Sequence, residues 1–350
     1  MTERTQGRVI AAHGRHYTVE LQDQSLIKCF PRGKKNEATV GDYVELTRQG
    51  LDEGSLEAVL PRKNLLFRSD ENRSKQFAAN VDQLLLVIAV APAFSDDLLG
   101  RALAGAWSAG ITPIILLNKV DLLDGLPAAR AKLAPFYKLG VKIIDICAKD
   151  TAQVMSTILP LLTGQTSLLL GQSAMGKSTL LNTLVPLALA ATREHSVALG
   201  AGKHTTTSTR LYHLPEAGGD LIDSPGFQGF GLLHLDREEI ERGFPEFDAH
   251  IPECRFYNCT HQREPNCGVL AALARNEIDA GRHALYVRLV QAKAAHGGDR
   301  LAAKPHRTPA RRDCGMSPPM NSERAITIAI LAMGGLTDPR VTYWEPAKWI

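Results

Sequence analysis

The spacing of apolar residues changes character twice along the 350-residue chain. In residues 1–65, short runs of partly alternating apolar and polar residues are separated by glycine-containing turns, which predicts short β-strands. We expect five of them, over residues 7–12, 17–21, 26–30, 43–47 and 55–60. Five strands at this spacing favour an OB-type β-barrel. Such barrels often bind oligonucleotides, but a barrel without a ligand fits the spacing equally well.

Between residues 66 and 243, almost continuously apolar runs alternate with helical patterns. Runs of this kind are typical of strands that are buried on both faces of a parallel sheet. We predict such strands over residues 83–90, 111–117, 141–146 and 167–170. We predict helices over residues 96–109, 127–139 and 151–162. The alternation indicates an α/β domain with a mostly parallel sheet.

The remaining sequence divides into two parts. Residues 244–295 are rich in Cys and His and contain helical patterns over 269–275 and 279–295, so we expect a small helical module. Glycine, proline and arginine dominate residues 296–319. We therefore interpret residues 296–350 as a basic linker followed by an atypical tail that packs poorly on the rest.

Composition excludes several classes of protein. The chain is 44% hydrophobic and 22% charged, as in globular proteins, and its net charge of +3 gives no overall signal for nucleic-acid binding. The longest apolar run, residues 84–94, is shorter than the ~20 residues that cross a bilayer. The first residues lack the pattern of a signal peptide, and six cysteines are too few for a disulfide scaffold. We expect a cytoplasmic protein without a membrane partner.

A phosphate-binding loop is the sharpest motif. Residues 171–178 read GQSAMGKS, which fits G-x-x-x-x-G-K-[ST], with an apolar strand before it and a helical pattern over 177–184 after it. In such a loop backbone N–H groups surround phosphate oxygens, the lysine reaches the β- and γ-phosphates, and the serine binds Mg²⁺. The candidate residues are Gly171, Gln172, Ser173, Ala174, Met175, Gly176, Lys177, Ser178 and Thr179, with Lys177 also a catalytic candidate.

Two further motifs point to guanine. N-K-x-D follows the predicted strand 111–117, and its aspartate would accept hydrogen bonds from the N1–H and 2-amino groups of guanine. Adenine offers neither donor, so this carboxylate predicts GTP rather than ATP. C-A-K follows the strand 141–146 and resembles the S-A-K loop that backs the guanine in GTPases, with Cys in place of Ser. These residues are Asn118, Lys119, Val120 and Asp121, and Cys147, Ala148 and Lys149.

Two loops resemble the switches of GTPases. Asp223 and Gly226 form a D-x-x-G motif, in which the aspartate would hold Mg²⁺ through water and the glycine N–H would sense the γ-phosphate. One threonine of residues 205–207 could complete the Mg²⁺ ligands, and we favour Thr206. Phe227 occupies the position where Ras-like enzymes have a water-orienting Gln, which predicts slow intrinsic hydrolysis. His204 is the candidate for the missing catalytic group, and the alternative is an ordinary loop histidine.

The order of the motifs is inverted relative to ordinary GTPases, because both guanine motifs precede the phosphate loop and both switches follow it. A domain whose termini lie close together tolerates circular permutation of its chain. The sequence therefore predicts a circularly permuted P-loop GTPase domain.

A metal motif follows the switches. The pattern C-x4-C-x-H-x5-C supplies three thiolates and one imidazole, which make a closed tetrahedral site for one structural zinc ion. Folding of this module should then depend on the metal. The alternative is a cluster of buried free cysteines. The ligands would be Cys254, Cys259, His261 and Cys267, whereas His250 and His283 are interpreted as surface or packing residues.

Together these features resemble the RsgA (YjeQ) family of circularly permuted GTPases over residues 1–295, including the sequence Pro-Arg-Lys-Asn at residues 61–64. The resemblance implies a monomeric, cytoplasmic GTPase that binds the small (30S) ribosomal subunit and its rRNA late in assembly. It also implies release after GTP hydrolysis, and the slow intrinsic hydrolysis expected from Phe227 predicts stimulation by that subunit. Two features depart from the family: Ala174-Met175 replaces Gly-Val, and residues 296–350 do not match.

In this interpretation the GTP-bound switches order the barrel and the zinc module into a clamp on rRNA, and hydrolysis weakens it. Candidate phosphate contacts are Arg32, Lys34, Lys35, Arg288, Lys293, Arg300, Lys304, Arg307, Arg311 and Arg312. Solvated surface charges are the alternative for each. Two other functions stay open: an RNA-binding scaffold with a structural nucleotide site, and an ATP-using P-loop kinase.

Overall fold

The computed structural model describes residues 4–14, 16–32, 37–50, 52–69, 74–186, 209–214, 216–224 and 231–297. They all lie in one unit of the chain, residues 1–301. Most of the predicted linker and the whole predicted tail, residues 298–350, are outside the described residues.

Five strands close into an N-terminal barrel, as predicted, and all their pairs are antiparallel except that of the third and fifth strands. They are β1 (Arg4–Ala12), β2 (Tyr17–Leu21), β3 (Leu26–Pro31), β4 (Tyr43–Arg48) and β5 (Glu53–Val59). The pairs β1–β2, β2–β3, β3–β5, β5–β4 and β4–β1 complete the circle. Alternate residues such as Val19, Ile27 and Leu46 face inward and are almost fully buried. The partial alternation in the sequence is thus the inside–outside pattern of a barrel.

A mostly parallel sheet follows the barrel. Its strands are β8 (Gln83–Ala89), β9 (Thr112–Asn118), β10 (Lys142–Ile146), β11 (Thr166–Gly171), β12 (Arg210–Leu214) and β13 (Gly219–Asp223). They lie in the order β10-β9-β8-β11-β13-β12, and only β12 is antiparallel to its neighbour within this set. Every residue of β8 and of β11 is buried, which explains why both sequences are largely apolar. At the far edge β12 pairs with β1 of the barrel.

Helices cover the parallel sheet. They are α1 (Asp96–Ser108), α2 (Leu126–Lys138), α3 (Thr151–Thr157) and α4 (Lys177–Leu184). Ser95 and Asp150 cap the N-termini of α1 and α3 through side-chain oxygens, as residues of these types commonly do. The single helix predicted over residues 151–162 is wrong in its second half, where a 3₁₀ turn spans Leu159–Leu162. Pro160 lies in this turn and has no N–H for an α-helical hydrogen bond.

Four strands were not predicted from the sequence. Two form a hairpin between the barrel and the sheet, β6 (Leu65–Ser69) and β7 (Ser74–Ala79). The other two are β12 and β13 of the sheet. The hairpin is anchored at its base, where the Asn64 side chain donates to the Val81 carbonyl at 2.7 Å and accepts from the Val81 N–H at 2.9 Å.

The Cys/His-rich region forms a helical module. Its helices are α5 (Arg237–Arg242), α6 (Gly268–Ala274) and α7 (Ala280–Gly297), joined by 3₁₀ turns and loops. Phe244, Phe247 and Tyr286 pack edge-on or stacked in its centre, with ring centroids 5.0–5.5 Å apart. Within the described residues, no helix combines the length and the apolar character needed to cross a bilayer.

Candidate nucleotide and metal sites

The predicted nucleotide-binding motifs meet at one edge of the sheet. Strands β8, β9, β10, β11 and β13 are mutually parallel, so their carboxyl ends lie at the same edge. In open α/β sheets this edge is where ligands bind. The motifs that follow these strands begin at residues 118, 147, 171 and 223. The fold therefore gathers segments that are up to 105 residues apart in the chain (118 to 223).

Asn118 connects three of these segments. Its side-chain N–H donates to the Met175 carbonyl at 2.8 Å, and its side-chain oxygen accepts from the Ala148 N–H at 2.8 Å. The residue is only 2% exposed. One buried amide thus fixes the end of β9 to the phosphate loop and to the C-A-K loop.

Lys119 makes a second link to the phosphate loop. Its ammonium donates to the Ala174 carbonyl at 2.8 Å and to the Ala91 carbonyl at 2.7 Å. Its backbone is in the left-handed region, with φ 61°. Val120 and Asp121 follow in the turn, and the Asp121 side chain is exposed at this edge.

Neighbouring atoms approach both glycines of the phosphate loop so closely that neither position has room for a side chain. A Cβ on Gly171 would lie 2.8 Å from the Val87 carbonyl oxygen, and one on Gly176 would lie 2.1 Å from Asn118 Nδ2. Gly176 also has φ 95°. Ala174 has φ 65°, a conformation that an L-residue adopts at a cost, so the departure from the family noted above places strain in this loop.

Lys177 and Asp223 form a buried ion pair at the centre of the edge. The ammonium donates to Asp223 Oδ1 and, at 2.7 Å, to the Ser224 carbonyl. The hydroxyl of Ser224 in turn donates to the Leu169 carbonyl at 3.0 Å, which ties the end of β13 to β11. Ser178 is exposed on the first turn of α4, as is Thr179. Carboxylate and hydroxyl oxygens of this kind are ligands that Mg²⁺ prefers.

Three supporting residues were missed from the sequence. Gln153 accepts from the Cys147 N–H at 2.8 Å, and Thr183 donates to the Ala148 carbonyl at 3.2 Å, so both shape the C-A-K loop. Ser95 donates its N–H to the Gln172 side chain at 3.1 Å. Residues of these types occur throughout the chain, and only the fold shows which of them reach the loops. Lys149 is exposed, Cys147 is partly exposed and Met175 is buried.

Some predicted residues lie outside the described part of the chain. They are the switch residues His204, Thr206, Gly226 and Phe227, and the basic residues Lys34, Lys35, Arg300, Lys304, Arg307, Arg311 and Arg312. The basic candidates that are described have partners within the chain. Arg32 pairs with Glu57 at 3.1 Å and Arg288 with Asp97 at 2.8 Å, both at the surface. Lys293 donates to the Leu233 carbonyl at 2.9 Å.

The four predicted metal ligands come together. One donor atom from each of Cys254, Cys259, His261 and Cys267 lies within 4.8 Å of all the others, so the cluster could hold a metal ion. The sulfurs of Cys254 and Cys267 are 3.8 Å apart. Nδ1 of His261 is 3.6 Å from the first and 3.4 Å from the second. Burial raises the pKa of the Cys259 thiol to about 12, and a bound cation would offset this by stabilising the thiolate.

The histidine of this cluster is held from several sides. His261 has a left-handed backbone, with φ 57°, and is 2% exposed. His283 Nε2 donates to the His261 carbonyl at 2.8 Å, so His283 is a packing residue as expected. On the far side of the ring, His261 Nε2 is 3.2 Å from a Glu241 carboxylate oxygen. His250 lies 3.9 Å from Glu277.

Comparisons with known proteins agree on one family. A family model described as RsgA GTPase matches residues 59–233. A small ribosomal subunit biogenesis GTPase RsgA from Bordetella pertussis is 68% identical over 294 residues, covering 84% of this chain and 98% of the relative. Its counterpart in Burkholderia pseudomallei is 54% identical, covering 82% and 92%.

Solved structures match along most of their length. The crystal structure of YjeQ from Thermotoga maritima has a TM-score of 0.64 and 31% identity, covering 83% of this chain and 99% of that one. The crystal structure of YloQ, a circularly permuted GTPase, has a TM-score of 0.61 and 28% identity, covering 87% and 98%.

Proposed function

Since the chain belongs to the RsgA GTPase family, we propose that it is a GTP hydrolase that acts as a late maturation factor of the small (30S) ribosomal subunit. The observation on which this depends most is the position of Asn118. Its side chain joins a guanine-type motif to a phosphate loop that comes 53 residues later in the chain (118 to 171), although ordinary GTPases have these motifs in the opposite order. One nucleotide can then contact both.

Guanine would be recognised at the ends of β9 and β10. The exposed carboxylate of Asp121 would accept from the guanine N1–H and 2-amino groups, and the C-A-K loop would back the base. Discrimination against adenine follows, because a site built to pair with two donors loses both hydrogen bonds when they are absent.

The phosphates would lie on the loop between β11 and α4. Its N–H groups and the N-terminus of α4 favour anions. Lys177 would exchange its bond to Asp223 for the β- and γ-phosphates, which releases the carboxylate at the end of β13. The oxygens of Ser178, Thr206 and Asp223 would hold Mg²⁺, which neutralises charge on the phosphates. Nucleotide binding would therefore act directly on the segment that follows Asp223.

Hydrolysis would be slow until the ribosomal subunit is bound. Phe227, at the position of the usual Gln, has no group that orients water, so His204 is our candidate for that role. The proposal predicts that the 30S subunit stimulates turnover and that GTP hydrolysis releases the protein.

The Cys/His cluster would hold one structural zinc ion. For Zn–S of about 2.3 Å and Zn–N of about 2.0–2.1 Å, tetrahedral angles place two sulfurs about 3.8 Å apart and sulfur and nitrogen about 3.5–3.6 Å apart. The observed separations of 3.8, 3.6 and 3.4 Å are close to these values. With four protein ligands, the site leaves no position for catalysis.

The barrel and the zinc module would contact rRNA, with the protein acting as a cytoplasmic monomer. The barrel surface supports this with exposed aromatic rings beside cations. The Lys28 ammonium is 5.0 Å from the Phe30 ring centroid, and the Arg8 guanidinium is 5.3 Å from that of Tyr43. Phe30 and Tyr43 are 38% and 47% exposed. Unpaired RNA bases stack on side chains of this kind.

GTP turnover by the full-length protein, measured with and without purified 30S subunits, tests the proposal. We expect slow turnover alone, strong stimulation by 30S subunits and none by 50S subunits as the matched control. Multiple turnover without any stimulation would contradict the proposed role, and a complete lack of stimulated turnover together with rRNA binding would favour the scaffold. ATP that competes equally with GTP would favour the P-loop kinase.

A further inference from the structure

Helix α5 contacts the metal cluster from outside its four ligands. The helix follows the D-x-x-G segment and precedes the first ligand, Cys254, by 12 residues (242 to 254). Asp236 and Glu239 cap its N-terminus reciprocally through a capping box, and Ile240 buries its inner face. The capping box and the buried Ile240 thus stabilise this short helix through groups other than the four ligands.

The C-terminal end of α5 holds the histidine ligand. A Glu241 carboxylate oxygen lies 3.2 Å from His261 Nε2, while Nδ1 of the same ring faces the sulfurs of Cys254 and Cys267. This geometry assigns the proton to Nε2, which donates to Glu241 and leaves the Nδ1 lone pair for a metal. Carboxylates in this position fix the tautomer and orientation of a metal-binding histidine and increase its basicity.

The N-terminal end of α5 holds the loop that contains Cys259. The Arg237 guanidinium donates to the Cys259 carbonyl at 2.5 Å and to the Asn258 carbonyl at 3.2 Å. Two bonds from one planar guanidinium to neighbouring carbonyls hold a backbone segment more firmly than a single bond would. The two ends of α5 thus fix two of the four ligands.

We propose that Glu241 and Arg237 are outer-shell positioning residues of the zinc site, so that retention of the metal depends on α5 as well as on its four ligands. This inference rests on the zinc site proposed above. It adds a direct physical connection between the metal and the helix that follows the D-x-x-G segment. No signal in the sequence predicts it, because Glu241 is 20 residues before His261 (241 to 261) and outside the ligand motif.

Zinc release from the full-length holoprotein tests the proposal. Zinc content is measured by elemental analysis, and release is followed with an excess of a chromogenic chelator. Loss of an outer-shell partner commonly lowers metal affinity about 10–100-fold, so we expect Glu241→Ala to release zinc faster by a factor in this range. Glu241→Gln retains an oxygen acceptor without the charge, so its release rate should be intermediate. Arg237→Lys loses the paired bonds and should also release zinc faster.

Glu238→Ala is the matched control, because Glu238 is an exposed acidic residue on the same helix. Its release rate should equal that of the wild type. Circular dichroism of the zinc-loaded proteins shows whether each variant keeps the fold, and the isosteric Glu241→Gln keeps the comparison valid if Glu241→Ala does not fold. Stoichiometric zinc in the wild type with equal release rates in all variants would overturn the outer-shell role alone. Absence of zinc from the wild type would overturn the zinc site and this inference together.

Discussion

His213 and Asp220 face each other across β12 and β13, with His213 Nδ1 2.7 Å from Asp220 Oδ1. His213 Nε2 is also 2.7 Å from Glu20 of the barrel, and Arg8 of the barrel donates to Asp220 at 2.5 Å. One imidazole therefore bridges two carboxylates at the junction between the barrel and the parallel sheet. The strands involved lie next to the predicted switch segments.

This bridge predicts a pH-dependent contribution to stability. The hydrogen bond to Asp220, followed by that to Glu20, raises the pKa of His213 to about 9 despite partial burial. A raised folded-state pKa gives stability that is complete below the unfolded value of about 6.5 and is lost as the pH rises through about 9. Because half of the side chain is exposed, screening keeps the effect small.

Urea unfolding of the wild type and of His213→Gln across this range measures that contribution. The difference in unfolding free energy between the two proteins should be largest near about pH 6, just below the unfolded pKa of His213. It should shrink steadily toward about pH 9–10, as the pH passes the folded pKa. Asp220→Asn removes the first carboxylate, so its unfolding free energy should also be lower than that of the wild type over the same range of pH. A difference that stays constant with pH would contradict the assignment.

The left-handed Ala174 predicts that glycine stabilises the phosphate loop. An L-residue in this region costs about 1–2 kcal/mol of stability, and glycine removes that cost. Glycine also gives the unfolded chain more conformational entropy, which lowers stability by about 0.4–1 kcal/mol. We therefore expect Ala174→Gly to raise the free energy of unfolding by about 0.5–1 kcal/mol, measured in urea. The matched control is Ala271→Gly in the exposed face of α6, where the same substitution should destabilise by about 1 kcal/mol. Equal destabilisation by both would show that Ala174 is not strained.

Local signals explain which elements the sequence could predict. β2 was predicted at its observed bounds because its alternation is bounded by turns, and α4 because Gly176 and Pro186 mark its ends. The β6–β7 hairpin, β12 and β13 were not predicted because these short segments lack a clear period, and pairing with another strand is what defines each of them. Pro160 is a local signal for the 3₁₀ turn, because it has no N–H with which to continue the α-helix.

The residues of the candidate sites also differ in whether local sequence could predict them. Candidate metal ligands that a spacing rule defines, such as Cys254 and Cys267, could be predicted and do come together. Supporting groups such as Gln153 and Glu241 could not, because the contacts they make depend on how whole elements pack. The bond from Asn118 to the Met175 carbonyl spans 57 residues and follows only from the order of the strands.

A buried ion pair in the helical module predicts a large loss of folding stability when one of its partners is removed. Arg282 Nε donates to Glu246 at 2.7 Å, and the two side chains are only 3% and 6% exposed. The guanidinium also lies 4.4 Å from the ring centroid of Phe244 and 5.2 Å from that of Trp107. Removing one partner leaves a buried charge, which costs about 3–5 kcal/mol. We therefore expect this loss of stability in Arg282→Met.

Chemical unfolding of single and double variants tests the pair. Arg282→Met with Glu246→Leu should recover most of the lost stability, because no charge is then left without a partner. Arg275→Met is the control, because Arg275 pairs with Glu277 at 2.8 Å at the surface, where such pairs contribute about 0–1 kcal/mol. A double variant as unstable as Arg282→Met would show that packing of the arginine, rather than its charge, is what matters.

Base specificity gives the sharpest test of the nucleotide site. If Asp121 accepts from the N1–H and 2-amino groups of guanine, Asp121→Asn should weaken GDP binding, because the new amide N–H groups face other donors. Xanthine has an oxygen in place of the 2-amino group, and this oxygen can accept from the asparagine amide. Titration calorimetry should therefore show that the preferred nucleotide changes from GDP to XDP. We expect the affinity for GDP to fall and that for XDP to rise, each by about 10-fold or more, because a polar group left unpaired costs about 1–3 kcal/mol. Asp124→Asn, in the exposed turn that follows, is the matched control and should keep the preference for GDP. If Asp121→Asn binds GDP as tightly as the wild type, this carboxylate does not read the base.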